Sequence, residues 1–182
     1  MPAPKMKMTA DDYWNLPDVE RAELIDGELW NLAAPSRTHQ HIQMQIGRTV
    51  ANFIDSHHGS CQVYGSPFAV NLFADDTTFV EPDVSVICDR SKLSNRGCEG
   101  APDLVIEIVS PSSQGMDYVT KPNLYMRAGV REYLIVDPTE SRTIAYRFEE
   151  DPSPVIYSFA EPVPFKVLPG LELNIADILK TL

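Results

Sequence analysis

The chain has 182 residues, 15 basic against 26 acidic, and a formal net charge of −11. Hydrophobic residues make up 43%, enough to pack one core of ordinary domain size, while the acidic balance argues against a generic nucleic-acid-binding surface without excluding a nuclease whose carboxylates hold metal. No apolar run approaches the ~18 residues of a membrane span, and residues 1–8 lack the apolar centre of a signal peptide, so a cytoplasmic protein with a short flexible tail over 1–8 and no membrane partner is expected.

Residues 9–16 read as a short helix capped by Thr9, with Asp11 and Asp12 in its first turn and Pro17 as its stop. Asp26-Gly27, between two alternating runs over residues 22–30, is a strong hairpin signal. Residues 36–58 then form the long helix. Ile42, Ile46, Val50, Phe53 and Ile54 mark its apolar face, His39 borders that face, and Gly59 is the expected stop. Strands are expected over 61–64, 68–73, 83–87 and 104–109, with a polar loop over 89–100. A second helix fits within 114–128, ended by Gly129 and either begun near Thr120 or kinked at Pro122. Residues 132–137 read as a buried strand, and 143–148 with 155–159 as a hairpin turning at Asp151-Pro152. Residues 171–173 and 175–179 close the chain as strand and short helix. The fifteen prolines fall between these elements, which supports the boundaries. Cys61, Cys88 and Cys98 have no paired spacing and no C-x-x-C, so they are expected to be reduced thiols rather than a disulfide framework or a zinc site.

This order predicts an α/β (α+β) fold with a mixed central β-sheet flanked by helices. Two of the apolar strands carry a carboxylate at an unusual place. Asp83 opens Asp83-Val84-Ser85-Val86-Ile87, and Glu107 sits inside Leu104-Val105-Ile106-Glu107-Ile108-Val109. An ionised carboxylate in a buried strand is costly unless it is paired or bound to a metal. Two on neighbouring strands repel, and a divalent cation between them would remove the repulsion. Structural roles stand beside this one: Asp83 after Pro82 can cap a turn, and Glu107 could have a basic partner.

The residues around these carboxylates resemble the Uma-two family of putative restriction endonucleases, which have the PD-(D/E)XK nuclease fold. The matching pieces are Glu23-Leu24-Ile25-Asp26-Gly27-Glu28, the helix entry from Pro35 to His39, Pro82-Asp83-Val84, and Pro102-Asp103-Leu104 through Glu107 to Ser112. Asp117, Lys121, Tyr125, Gly129-Val130-Arg131-Glu132-Tyr133 and Val136-Asp137-Pro138 follow in order. The resemblance implies one nuclease-like domain over 1–182, with an αβββαβ core over about 22–138 and extra C-terminal strands. It also implies hydrolysis of DNA phosphodiester bonds with a divalent metal. It carries the family's aspartate onto Asp83 and its strand glutamate onto Glu107. The wider superfamily places a lysine two residues after that glutamate, on the same side of the strand. Here that position is Val109, and the family pattern offers Lys121 on the following helix instead.

On this reading Asp83, Glu107 and the carbonyl of Ile108 hold Mg²⁺, with Mn²⁺ as the alternative, because Mg²⁺ takes oxygen ligands and keeps several waters. Lys121 orients the attacking water or stabilises developing charge. His39 is a candidate proton shuttle or outer metal contact, and Glu23 and Asp117 are candidate supports. Each has a simpler alternative: Lys121 a solvated helix lysine, His39 a core histidine, and Glu23 a solvent charge beside a turn. His57 and His58 are explained by the helix C-terminus. A homodimer is expected only from the symmetry of double-strand cutters. The competing function is a catalytically inactive nuclease-fold protein that serves as a binding or assembly module.

Overall fold

Ser36 starts the long helix by accepting a hydrogen bond from the His39 N–H at 3.2 Å. Ile42, Ile46, Val50 and Ile54 repeat every fourth residue and are buried in one stripe. Burying each such side chain is worth roughly 1.5–3 kcal/mol, and the stripe packs on strand residues Val84, Val86, Leu104, Ile106 and Ile108. This computed structural model describes residues 7–17 and 20–182.

In chain order the elements are α1 (Ala10–Trp14), β1 (Ala22–Ile25), β2 (Glu28–Asn31), α2 (Arg37–Ser56), β3 (Gln62–Gly65), β4 (Val70–Asn71) and β5 (Phe79–Val80). Next come β6 (Val84–Ile87), β7 (Leu93–Ser94), β8 (Gly97–Glu99), β9 (Leu104–Ile108), α3 (Lys121–Ala128), β10 (Glu132–Asp137), β11 (Arg142–Arg147) and β12 (Asp151–Ser158). The chain ends with β13 (Val163–Pro164), β14 (Glu172–Leu173) and α4 (Ile175–Leu179). One six-stranded sheet has the order β12-β11-β10-β9-β6-β3. It is mixed: β3, β6 and β9 are antiparallel neighbours, and β9 and β10 are parallel across α3. The series α2-β3-β6-β9-α3-β10 is the expected αβββαβ core, with β11 and β12 extending it. A second six-stranded sheet, β2-β1-β5-β4-β8-β7, stands beside the core.

Alternation along β9 divides the core in two. Leu104, Ile106 and Ile108 face α2, while Val105 and Val109 join Tyr133, Ile135, Leu124 and Tyr125 on the α3 side. Glu107 has the parity of the second set.

Several local expectations are corrected. The segment over 89–100 is not a plain loop: it holds a 3₁₀ turn at Arg90–Lys92 and the β7–β8 hairpin. The long helix ends with His58 in the left-handed region (φ 52°), and Gly59 only returns its N–H to the Ile54 carbonyl. The β11–β12 turn lies at residues 148–150, with Asp151 and Pro152 already in β12. Residues 1–6 of the expected tail lie outside the described residues, but Met8 is anchored by its N–H to the Gly27 carbonyl. Cys61 and Cys88 are not free thiols. They follow the Gln62–Ile87 pair of the β3–β6 ladder, which sets them opposite each other, and they form a disulfide. A separation of 27 residues gave no hint of this, and the argument from reduced thiols to a cytoplasmic location falls with it. Cys98 alone is free, and it is buried. Among the described residues, no helix is long and apolar enough to cross a membrane.

Gly97 is where β8 passes closest to the main chain just before β4. Its φ is +145°, and an added Cβ would lie 2.0 Å from the Ala69 carbonyl oxygen. Gly97→Ala is expected to destabilise the fold by more than about 2 kcal/mol, through strain and a backbone clash. Urea unfolding followed by far-UV circular dichroism reads this directly, and an unchanged midpoint would refute the close packing of β8 on the 69–70 segment.

Candidate metal and nuclease centre

The β6–β9 ladder ends at the Val84–Ile106 pair. One step further, Asp83 and Glu107 stand opposite each other, and their carboxylates replace the missing rungs. Asp83 N–H donates to Glu107 Oε2 at 3.2 Å, and Ile108 N–H donates to Asp83 Oδ2 at 2.8 Å. Like charges directly opposite on a sheet are destabilising, so these two acids need compensation from elsewhere.

Part of it comes from α3 and the turns before it. Met116–Thr120 winds as a π-helix that runs straight into α3, and Pro122 falls in the first turn of α3, where a missing N–H costs little. The helical path is therefore unbroken, and Asp117, Lys121 and Tyr125 share a face toward Glu107. Lys121 Nζ is 2.7 Å from Glu107 Oε1, 3.1 Å from Glu23 Oε1 and 3.6 Å from Asp117 Oδ1. Tyr125 donates its hydroxyl to the same Glu107 Oε1 at 2.8 Å. Glu23 comes from β1 of the second sheet and also accepts the Glu81 N–H at 3.1 Å. Lys121 is 4% exposed; it is no solvated helix lysine, and it occupies the region that Val109, packed into the apolar core, cannot serve.

His39 reaches from the first turn of α2 to Asp83, with Nε2 3.0 Å from Oδ2. It is not a histidine of the apolar stripe. Gln43, one turn further along α2, donates to the Asp83 carbonyl at 2.9 Å and fixes that main chain from below. Sequence reasoning missed Gln43. Its signal was a polar residue on the same buried stripe as Ile46 and Val50. The role of Tyr125 was missed too.

All the residues singled out from sequence, Glu23, His39, Asp83, Glu107, Ile108, Asp117 and Lys121, line one open cleft of about 650 Å³. Among the described residues, no three His, Cys, Asp or Glu side chains form a ready ligand cluster. Two carboxylates and a main-chain carbonyl are nonetheless a set suited to Mg²⁺, which usually takes one or two carboxylates and keeps water on its other positions. The electrostatics fit a cation as well. Three carboxylates surround one ammonium, Asp83 stands opposite one of them, and Asp117 Oδ2 is buried without a partner among the described residues.

Burial, only partly offset by Lys121, pushes the Glu107 carboxyl up to about 8, helped by repulsion from Asp83, Asp117 and Glu23. Asp117 is raised for the same leading reason. Burial alone would lower the Lys121 ammonium, but Glu107, Glu23 and Asp117 overcome it and hold it protonated. The His39 ring is also raised: desolvation opposes its charge, and the hydrogen bond and attraction to Asp83 prevail.

A mixed sheet carrying the αβββαβ core, with acids at the end of two neighbouring strands and a lysine over them, defines a protein of the nuclease-fold class. The chain belongs to the Uma2 family, described as putative restriction endonuclease, whose sequence profile matches residues 10–176. The chain is 27% identical over 152 residues to the uncharacterised protein slr1290 of Synechocystis, covering 82% of this chain and 78% of that one. It is 25% identical over 135 residues to the uncharacterised protein sll1609 of the same organism, covering 71% and 75%. A crystal structure of a putative nuclease of DUF820 from Anabaena variabilis superposes with a TM-score of 0.77 at 21% identity, covering 95% of this chain and 98% of that chain. At that identity the likeness establishes the fold.

The raised Glu107 carboxyl has a measurable consequence in metal-free protein. A carboxyl held above its ordinary value near 4.5 binds its proton more tightly in the folded state. Its contribution to stability is complete below pH 4.5 and is lost as pH rises through about 8. Glu107→Gln, permanently neutral, is expected to flatten the fall in stability across that window by an amount of order a few kcal/mol. Urea titrations in EDTA at a series of pH values measure it, and parallel wild-type and variant profiles would contradict it.

Proposed function

We propose that the protein is a metal-dependent nuclease that hydrolyses DNA phosphodiester bonds in the cleft. The observation that carries this reading is the opposed pair Asp83 and Glu107 at the open end of β6 and β9, with Lys121 Nζ held 2.7 Å from Glu107. The family's description supports the reaction class and DNA as the substrate.

Asp83, Glu107 and the Ile108 carbonyl would hold Mg²⁺, or Mn²⁺ in its place. When bound, such a cation neutralises phosphate charge and acidifies a coordinated water. The chain's own residues do the rest. Lys121 fixes the direction of the Glu107 carboxylate and keeps one positive charge beside the reacting phosphate. Glu23 and Asp117 hold that ammonium protonated and in place. Gln43 and the Ile108 N–H fix the Asp83 main chain and carboxylate in turn. His39, bonded to Asp83 through Nε2, leaves Nδ1 without a partner among the described residues, and it can hold or pass a proton at the edge of the site.

One observation favours the alternative of a non-catalytic binding or assembly module. Both Glu107 oxygens already accept bonds from the protein: Oε1 from Lys121 and Tyr125, and Oε2 from Asp83 N–H. A carboxylate so fully engaged can serve structure alone. The two readings part on activity. For a nuclease, Asp83→Asn and Glu107→Gln should each lower cleavage by on the order of a hundredfold or more while the fold persists. Nicking of supercoiled plasmid and cutting of a single-stranded DNA circle in Mg²⁺ and Mn²⁺, with near-UV circular dichroism on the same samples, is the assay. Cleavage retained by both variants, or absent from the wild type with both metals, would reject the nuclease.

A further inference from the structure

The protein has two tryptophans, and the structure treats them differently. Trp14 packs edge-on against Tyr13 and Phe79, with the Arg96 guanidinium over its ring. Trp30 lines the cleft, is 45% exposed, and has no ring or cationic partner among the described residues. Its place is set by strand register. Trp30 is the direct partner of Glu23 in the β1–β2 ladder, so the two side chains share a face with Cβ atoms about 5 Å apart. Glu23 is the residue that holds Lys121. The indole therefore stands next to the proposed reaction centre, on the edge strand β2, with a large apolar surface open to the cleft.

The charges in the cleft point the same way. Duplex binders hold the phosphate backbone with several free lysines and arginines. The arginine and the lysine in this lining are both already engaged. Arg21 is bound to Glu81 Oε2 at 2.7 Å and to Ser66 Oγ at 2.7 Å, and Lys121 to its carboxylates. The wall between Trp30 and α2 is Leu32, Ala33, Ala34 and Pro35, with no charge at all. A cleft with an aromatic face, an uncharged wall and, among the described residues, no spare cation suits a base rather than a track of phosphates. Aromatic stacking is the way single strands are held regardless of sequence.

We infer that Trp30 is a stacking platform for an unpaired nucleobase beside Asp83, Glu107 and Lys121, so that the cleft takes a single-stranded or locally unpaired DNA strand. This rests on the nuclease reading and narrows its substrate.

The test titrates the full chain against a fluorescein-labelled oligothymidylate of about twelve nucleotides and against a duplex of the same length, in Mg²⁺ and in EDTA. Anisotropy and tryptophan emission are both read. The single strand should bind more tightly than the duplex and quench tryptophan emission. Trp30→Ala should weaken that binding about tenfold or more, while Trp30→Phe, which keeps a ring, stays within about threefold of wild type and loses the quench. The salt dependence should correspond to about one phosphate contact or fewer. Equal affinity for both forms, no quench, no binding under either condition, or Trp30→Ala changing only the sedimentation of the protein, as a self-association face would, each overturns the platform. Plasmid nicking separates the two proposals. Duplex cleavage that survives Trp30→Ala unchanged keeps the nuclease and removes the platform, whereas a bound and quenching strand with no cleavage anywhere keeps the platform and removes the nuclease.

Discussion

The centre depends on one buried ammonium. Lys121 sits among three carboxylates delivered by three separate parts of the chain: Glu107 from β9, Glu23 from β1, and Asp117 from the π-helical turn just before it. Without that charge, these acids and Asp83 would be left repelling one another in a poorly solvated region, where an uncompensated buried charge costs roughly 3–5 kcal/mol. With it, the second sheet, the central sheet and α3 are tied at a single atom. The π-helical turn belongs to the same constraint. It lets the chain pass Pro122 without breaking, so Asp117 and Lys121 both reach the end of β9.

Moving the lysine from the strand to the helix changes what holds the site together. A lysine at position 109 would be fixed by β9 itself. In this chain Val109 completes the apolar face beneath α3, and the charge arrives with the helix that this face supports. Packing of Leu124, Tyr125 and Tyr133 thereby becomes part of the electrostatics, because it sets the height of Lys121 over Glu107. Tyr125 does both at once, with its ring in the core and its hydroxyl on Glu107. The second sheet contributes in the same manner. It brings Glu23 to Lys121 and sets Trp30 next to Glu23.

What could be read from the sequence follows from physical signal strength. Asp83 and Glu107 stood out because carboxylates inside runs of Val and Ile are expensive. The core elements stood out because α2 is long enough to show a period, and because β6, β9 and β10 are unbroken runs rich in apolar β-formers. Lys121 was legible only through the family pattern, since a lone lysine on a polar helix face is ordinary. The second sheet was not legible as a sheet: β4, β5 and β7 are two residues long, too short for any alternation to appear. Its one clear piece was the hairpin at Asp26-Gly27, where φ values of 50° and 80° show the turn that those residues favour. Cys61 and Cys88 were misjudged because their pairing is a fact of register, which spacing along the chain does not encode. Gln43 was not singled out because a polar residue on a helix is ordinary, although its place on the stripe of Ile46 and Val50 marks it as buried.

The acidity of the chain, first met as an argument against nucleic acid, takes on a different sense at the cleft. A net charge of −11 repels a polyanion at long range, although at physiological salt that field decays over about 8 Å. Within that distance the balance is local. Each acid of the cleft is either bonded to a cation of the chain, as Glu81 is to Arg21, or belongs to the group around Lys121 that carries more negative charge than one ammonium offsets. On the proposed reading a centre in that condition takes a divalent ion first and meets a phosphate only through that ion. Affinity for the strand must then come from something other than free lysines and arginines. The uncharged wall and the open indole of Trp30 supply apolar surface where the cations are already committed, so on that reading the acidic composition and the aromatic at the cleft are two parts of one solution to holding DNA without a basic surface.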